Sequence, residues 1–296
     1  ETPIITFQVT DAEGNPYDIN ADPEFTDGAS SLNLYVAWTT DDIYNGDEAG
    51  LLLGERSDGR AVQDGTLNPG YPLRMRIAEI QAAVGAPNAD GSYDVPYFTA
   101  LPLDWTGDVM IALGGHPAGN AGTDAAPDYQ RAYAKSAVFY PGTPRAEIVK
   151  AENCQNCHGY LAFHGGNRNG DTQICLVCHN ADLADGEEGF AFGYMIHNIH
   201  AASETYAGGE VAEVTYPQSI ANCGACHEEG TYNAARVTAR AISTDQGADR
   251  ARWDDDTATT ASSAQCGTCH SSNERTSPVP SAPIPHTFRS VDARDY

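Results

Sequence analysis

A chain of 296 residues exceeds the roughly 100 to 200 residues of one domain, so two domains are expected. Its formal charge is -25, with 16 basic residues against 41 acidic ones, which excludes nucleic acid and anionic membrane surfaces as partners because phosphate binding needs clustered Lys and Arg. No run reaches the roughly 18 to 20 apolar residues of a membrane-spanning helix, which excludes that class too.

The first half reads as short strands, in order Ile4 to Val9, Ser31 to Thr39, Leu73 to Ile80, Tyr93 to Phe98, Val109 to Leu113 and Ala132 to Phe139. Turn formers separate them at Glu13-Gly14-Asn15-Pro16, Asn68-Pro69-Gly70 and Asp90-Gly91-Ser92. Short β-rich runs in this rhythm predict an all-β domain, an antiparallel sandwich or split barrel, over residues 1–145. Pro141-Gly142-Thr143-Pro144 reads as a linker, because two prolines and a glycine interrupt any regular element. Beyond it, over 146–296, the pattern turns irregular, with short helices expected around the cysteine pairs and from Phe190 to Ala202. So little continuous apolar sequence makes a poor core by itself, and a flat apolar cofactor would supply the missing volume.

All eight cysteines lie in this second half, in four copies of one pattern: Cys154-x-x-Cys157-His158, Cys175-x-x-Cys178-His179, Cys223-x-x-Cys226-His227 and Cys266-x-x-Cys269-His270. Each is the attachment signature of haem c. The spacing lets two sulfurs reach the two vinyl groups of one porphyrin, and the next residue then lies under the iron as its proximal imidazole. Structural zinc and disulfides also use paired cysteines, but neither explains the histidines. With 9 histidines in 296 residues, finding one after all four pairs by accident has a chance of about one in a million. The reading is four haem c groups.

Five histidines remain: His116, His164, His197, His200 and His286. The last four lie in the haem half and match the four irons, so each iron is expected to take a second imidazole and keep no open position. His197 and His200, three residues apart, would project from one helix face toward two neighbouring haems. His164 precedes Gly165-Gly166, which lets the backbone turn sharply beside a flat ring. His286 follows a proline-rich stretch, Pro278 to Pro285, and an extended tail of that kind can reach another subunit. His116, in Gly114-Gly-His-Pro117, reads as structural and as the reserve ligand should His286 fail. No axial methionine is needed from Met75, Met110 or Met195.

From Cys154 onward the first motif, Leu161, His164-Gly-Gly, Arg168, the second motif with Asn180, the His197-x-x-His200 helix and Tyr216-Pro217 before the third motif together resemble the OmcA/MtrC family of outer-membrane multihaem cytochromes. The resemblance is specific over about 154–230 and looser toward the C-terminus. It implies a β-domain paired with a haem domain, bis-histidine ligation through His164, His197 and His200, and electron delivery to extracellular acceptors. Well-known members of that family carry ten haems in two pentahaem domains, and this chain resembles half of that arrangement with one haem fewer.

The expected function is therefore extracellular electron transfer by an electron-transfer protein rather than an enzyme. Glu1 in first position suggests a removed leader and export to a prokaryotic cell surface or exterior, with the periplasm as the alternative. Every cysteine is committed to a motif, which leaves none for a lipid anchor, so a filament or nanowire of repeating subunits is ranked slightly above a monomeric carrier. Other multihaem cytochromes are the expected partners. The competing reading is a multihaem reductase of a small oxyanion or sulfur compound, which needs one open iron. The acidic loops offer oxygen ligands for Ca2+, although no EF-hand spacing is present.

Overall fold

The computed structural model describes residues 2–39, 43–44, 62–63, 66–67, 73–97, 108–186, 188–232, 241–245 and 257–270. Its first strand, β1 (Ile4–Phe7), precedes the strand that organises the first half, β2 (Ser31–Thr39). Further strands are β3 (Leu73–Arg76), β4 (Tyr93–Pro96), β5 (Asp108–His116) and β6 (Ala137–Phe139). β2 pairs antiparallel with β5 along its whole length, from Ser31 opposite His116 to Thr39 opposite Asp108. Its other edge takes β3 and a short strand, Ile43–Tyr44, while β6 adds to β5, giving five strands. β1 and β4 form a separate antiparallel ribbon.

Side chains on a strand alternate between faces, and here each face has a core of its own. Leu32, Leu34 and Val36 of β2 and Val109 of β5 join Ile5, Ile19, Phe25, Met75, Ile80, Tyr93 and Val95 on one side. The alternate residues Tyr35 and Ala37 of β2, with Met110 and Ala112 of β5, face the other way and pack on Ile174, Leu176 and Val177 from the cysteine-rich half. Burial on both faces explains why these strands read as continuous apolar runs. Where the start of β2 meets the end of β5, Gly115 has φ 144°, and an added Cβ would lie 2.1 Å from the Ser31 carbonyl oxygen, so only glycine closes that corner.

Four predicted strands are shorter than the sequence suggested: Ile4 to Val9 is strand to Phe7, Tyr93 to Phe98 is strand to Pro96, and two others change more. The run expected from Leu73 to Ile80 is strand only to Arg76, after which a helix, α1 (Ile77–Ala83), takes over. Its residues are mostly good helix formers, Ile80 is fully buried in the first core, and the Arg76 amide donates to Glu79 Oε2 at 2.7 Å, closing the first turn. The run expected from Ala132 is strand only from Ala137, because Ser136 spends its hydrogen bonds elsewhere: its amide donates to the Asn169 carbonyl at 2.9 Å, and its hydroxyl accepts from the Asn169 amide at 3.1 Å. The predicted turn at Asn68-Pro69-Gly70 lies outside the described residues.

Among its described residues the second half has four α-helices, α2 (Ala151–His158), α3 (Gln173–Leu176), α4 (Phe192–His200) and α5 (Ala261–His270), with turns and short antiparallel hairpins between them. Its described apolar cluster outside the shared core is Ala181, Ala191, Ile242, Ala261 and Ala264 with Tyr194 beside them, mostly alanine. Little of that half is therefore held by large apolar side chains of its own.

Candidate haem centres

In the first three motifs about one helical turn brings the two cysteines and the histidine to one side. The first lies on α2, which ends at Gly159 with φ 67°. The second starts on α3, with the His179 amide donating to the Cys175 carbonyl at 2.8 Å. The third is a tight turn, Cys223–Ala225, in which the His227 amide donates to the Cys223 carbonyl at 3.0 Å. The fourth lies on α5. The side chains of Cys269 and His270, and all of His286, are outside the described residues.

Three motif histidines each face one of the spare histidines. His164 and His179 have ring centres 5.9 Å apart at 25°, and His197 and His227 are 5.9 Å apart at 15°. His158 and His200 are also 5.9 Å apart, at 89°. Two metal–imidazole bonds of about 2 Å plus two ring radii of about 1.1 Å span about 6 Å, so this spacing fits one metal atom between each pair. Two of the remaining ring nitrogens fit as well, while Nδ1 of His197 and of His227 is buried without a hydrogen-bond partner among the described residues. His179 Nδ1 lies 2.9 Å from the Phe190 carbonyl and His200 Nδ1 2.8 Å from that of Ile196, contacts that fix ring orientation and leave Nε2 free to ligate when Nδ1 carries the proton. Burial pushes the pKa of His179 and His227 down, and that of His197 to about 4, favouring the neutral imidazole that a metal requires.

The elements that aim these rings come from distant parts of the chain. α4 carries both His197 and His200, and the two rings face histidines of different motifs. His164 adopts φ 53°, followed by Gly165 at 70° and Gly166 at 82°, a left-handed run that a non-glycine residue seldom enters. The first half braces this loop: Arg131 Nη1 donates to the Gly165 carbonyl at 2.8 Å, and a Cβ on Gly166 would lie 3.5 Å from the His116 ring. His116 itself is buried at the end of β5, with Nδ1 3.1 Å from the Pro117 carbonyl, behind the His164 loop and outside the three pairs.

Other contacts join the motifs to each other. The Asn153 side chain donates to the Cys226 carbonyl at 3.0 Å, the Glu228 amide donates to the Ile148 carbonyl at 2.9 Å, and Lys150 Nζ meets Glu228 Oε2 at 2.6 Å, tying the first motif to the third. The Thr172 hydroxyl donates to the Val149 carbonyl at 2.8 Å, bringing the second motif beside the first. The fourth sits by the third: burial raises the Cys266 thiol most, and the Cys223 sulfur adds to it. Sequence reasoning assigned no role to Lys150, Asn153 or Glu228, whose partners lie more than 70 residues away. It quoted Tyr216 only as part of a motif, whereas the Tyr216 ring stands edge-on to His200 at 5.6 Å and 89°. Arg168, also from that motif, lies over the Tyr35 ring of β2 with 4.6 Å to its centre.

The family model described as outer membrane cytochrome MtrC/MtrF-like, domains II/IV, matches residues 146–288. Over these residues the chain is similar to the MtrC/MtrF-like outer-membrane cytochromes. The match takes in all four cysteine motifs and all four spare histidines of the second half. A domain of this kind is that of a haem c-binding multihaem cytochrome of electron transfer. Comparison with curated proteins and with solved structures finds no match. Among the described residues no helix is long and apolar enough to cross a membrane. No group of three or more His, Cys, Asp or Glu among them is arranged to hold a metal ion, and the Asp11 carboxylate is occupied by its own turn, accepting from the Glu13 and Asn15 amides.

Proposed function

We propose that the chain conducts electrons at the cell surface or outside the cell through four haem c groups, each held by two cysteines and two histidines. The assignment is Cys154, Cys157, His158 and His200 for the first; Cys175, Cys178, His179 and His164 for the second; Cys223, Cys226, His227 and His197 for the third; and Cys266, Cys269, His270 and His286 for the fourth. The observation that carries it is the common 5.9 Å spacing of three histidine pairs, each joining a motif histidine to a spare one. Bound haem supplies the one-electron Fe(III)/Fe(II) couple.

The chain's own residues do the rest. Two imidazoles at each centre would hold a haem and leave small ligands no place, and backbone carbonyls hold the Nδ1 side of His179 and His200. Neighbouring motifs give the order second, first, third, fourth, which supports a path running away from the five-stranded sheet. The acidic surface favours the more positively charged ferric state, in keeping with low potentials. Head-to-tail association into a filament extends this reading, and electron microscopy of concentrated protein showing only discrete particles would remove it.

Exogenous ligands test the main claim. Cyanide or nitrite added to the oxidised holoprotein is expected to leave the absorption spectrum unchanged. A ligand-induced shift would mean that one iron has a replaceable position, and a reductase of a small oxyanion or sulfur compound would then be the better account.

A further inference from the structure

The three histidine pairs share a spacing but not an angle. Two are close to parallel, at 25° and 15°, whereas His158 and His200 are crossed at 89°. The helix alone does not cause the crossing, because His197 lies on the same α4 and is nearly parallel to its partner. An edge-on tyrosine also meets His227, Tyr232 at 6.0 Å and 77°, but there it faces the motif histidine, whereas at His200 it faces the spare histidine carried by α4. The His200 Nδ1 is tied to the Ile196 carbonyl one turn back, and the Tyr216 ring stands edge-on against the imidazole at 89°. An aromatic edge-to-face contact has a preferred geometry, so a rotation of the imidazole about its axis would drive it into the phenol or break the contact. Tyr216 is half-buried, and its hydroxyl accepts a long hydrogen bond from Gln218 Nε2 at 3.4 Å.

We propose that Tyr216 is a positioning residue whose ring holds His200 crosswise to His158, giving the first haem centre an electronic ground state different from that of the second and third. The proposal rests on the bis-histidine reading above. An imidazole donates π density to the iron orbital perpendicular to its ring plane. Parallel rings load one orbital and split the pair, whereas crossed rings load both and leave them nearly equal in energy. Near-equal orbitals give a low-spin ferric signal with one very large g value, and split orbitals give an ordinary rhombic signal. The lever is thus ligand orientation imposed by a neighbouring side chain.

Electron paramagnetic resonance of the oxidised, full-length holoprotein tests this, with wild type, Tyr216→Leu and Tyr216→Phe compared at equal haem content. One haem equivalent of large-g signal is expected to move into the rhombic signal in Tyr216→Leu, with total low-spin intensity unchanged. Tyr216→Phe is expected to match wild type, because the ring acts rather than the hydroxyl. Unchanged spectra in Tyr216→Leu would overturn the proposal, as would loss of the large-g signal in Tyr216→Phe. A new high-spin signal in Tyr216→Leu would also overturn it, since Tyr216 would then be retaining the ligand and not turning it. A high-spin signal already present in wild type would strike instead at the bis-histidine reading.

Discussion

On α4, burial pushes the pKa of His197 down to about 4, and the nearby His227 and His200 add to the effect. In the unfolded chain a histidine titrates near 6.5, so below that pH the unfolded state takes up a proton that the folded site refuses. The stability tied to a neutral His197 is therefore complete above pH 6.5 and lost as pH falls toward 4. His179 and His227, also lowered by burial, carry the same sign. Denaturant midpoints of the holoprotein measured between pH 7 and 4 are expected to fall across this window, and a flat profile would contradict the burial of these rings. At this scale the sequence offers the residue types, because a fixed C-x-x-C-H spacing carries its own chemistry. It could not pair them, because His200 and His158 lie 42 positions apart and the link is made by the packing of α4.

Among the elements, α3 joins the two halves of the molecule. Ile174 is almost wholly buried among Tyr35, Met110 and Ala112 of the sheet, one residue before the first cysteine of the second motif. Truncating Ile174 to alanine removes that packing and is expected to cost about 2 to 5 kcal/mol, the usual range for a large aliphatic side chain in a core. Chemical unfolding of the holoprotein measures it, and a loss under about 1 kcal/mol would mean that the sheet and the second centre are not joined through this side chain. Element boundaries were unevenly legible. Ser31–Thr39 was read correctly because its apolar residues run unbroken between turn formers. Leu73 to Ile80 was misread because Leu73, Met75 and Ile77 alternate as a strand while Ile77 and Ile80 also keep helical spacing, and burial of Ile80 in the first core decides for the helix.

For the whole molecule, the sheet is more than a platform. Its second face is covered by the second motif, and Arg131, Ser136 and Gly115 all hydrogen-bond to the His164 loop and the Asn169 strand that follows it. That arrangement was not legible in the sequence, since nothing in the alternation of β2 says what covers its outer face. The four-haem assignment comes from the four repeated motifs, and it is the claim on which the account stands. A pyridine haemochrome count combined with spin quantitation of the oxidised holoprotein tests it most directly. Four haems per chain, all low-spin, are the expected result; fewer than four, or about one high-spin equivalent per chain, would contradict it.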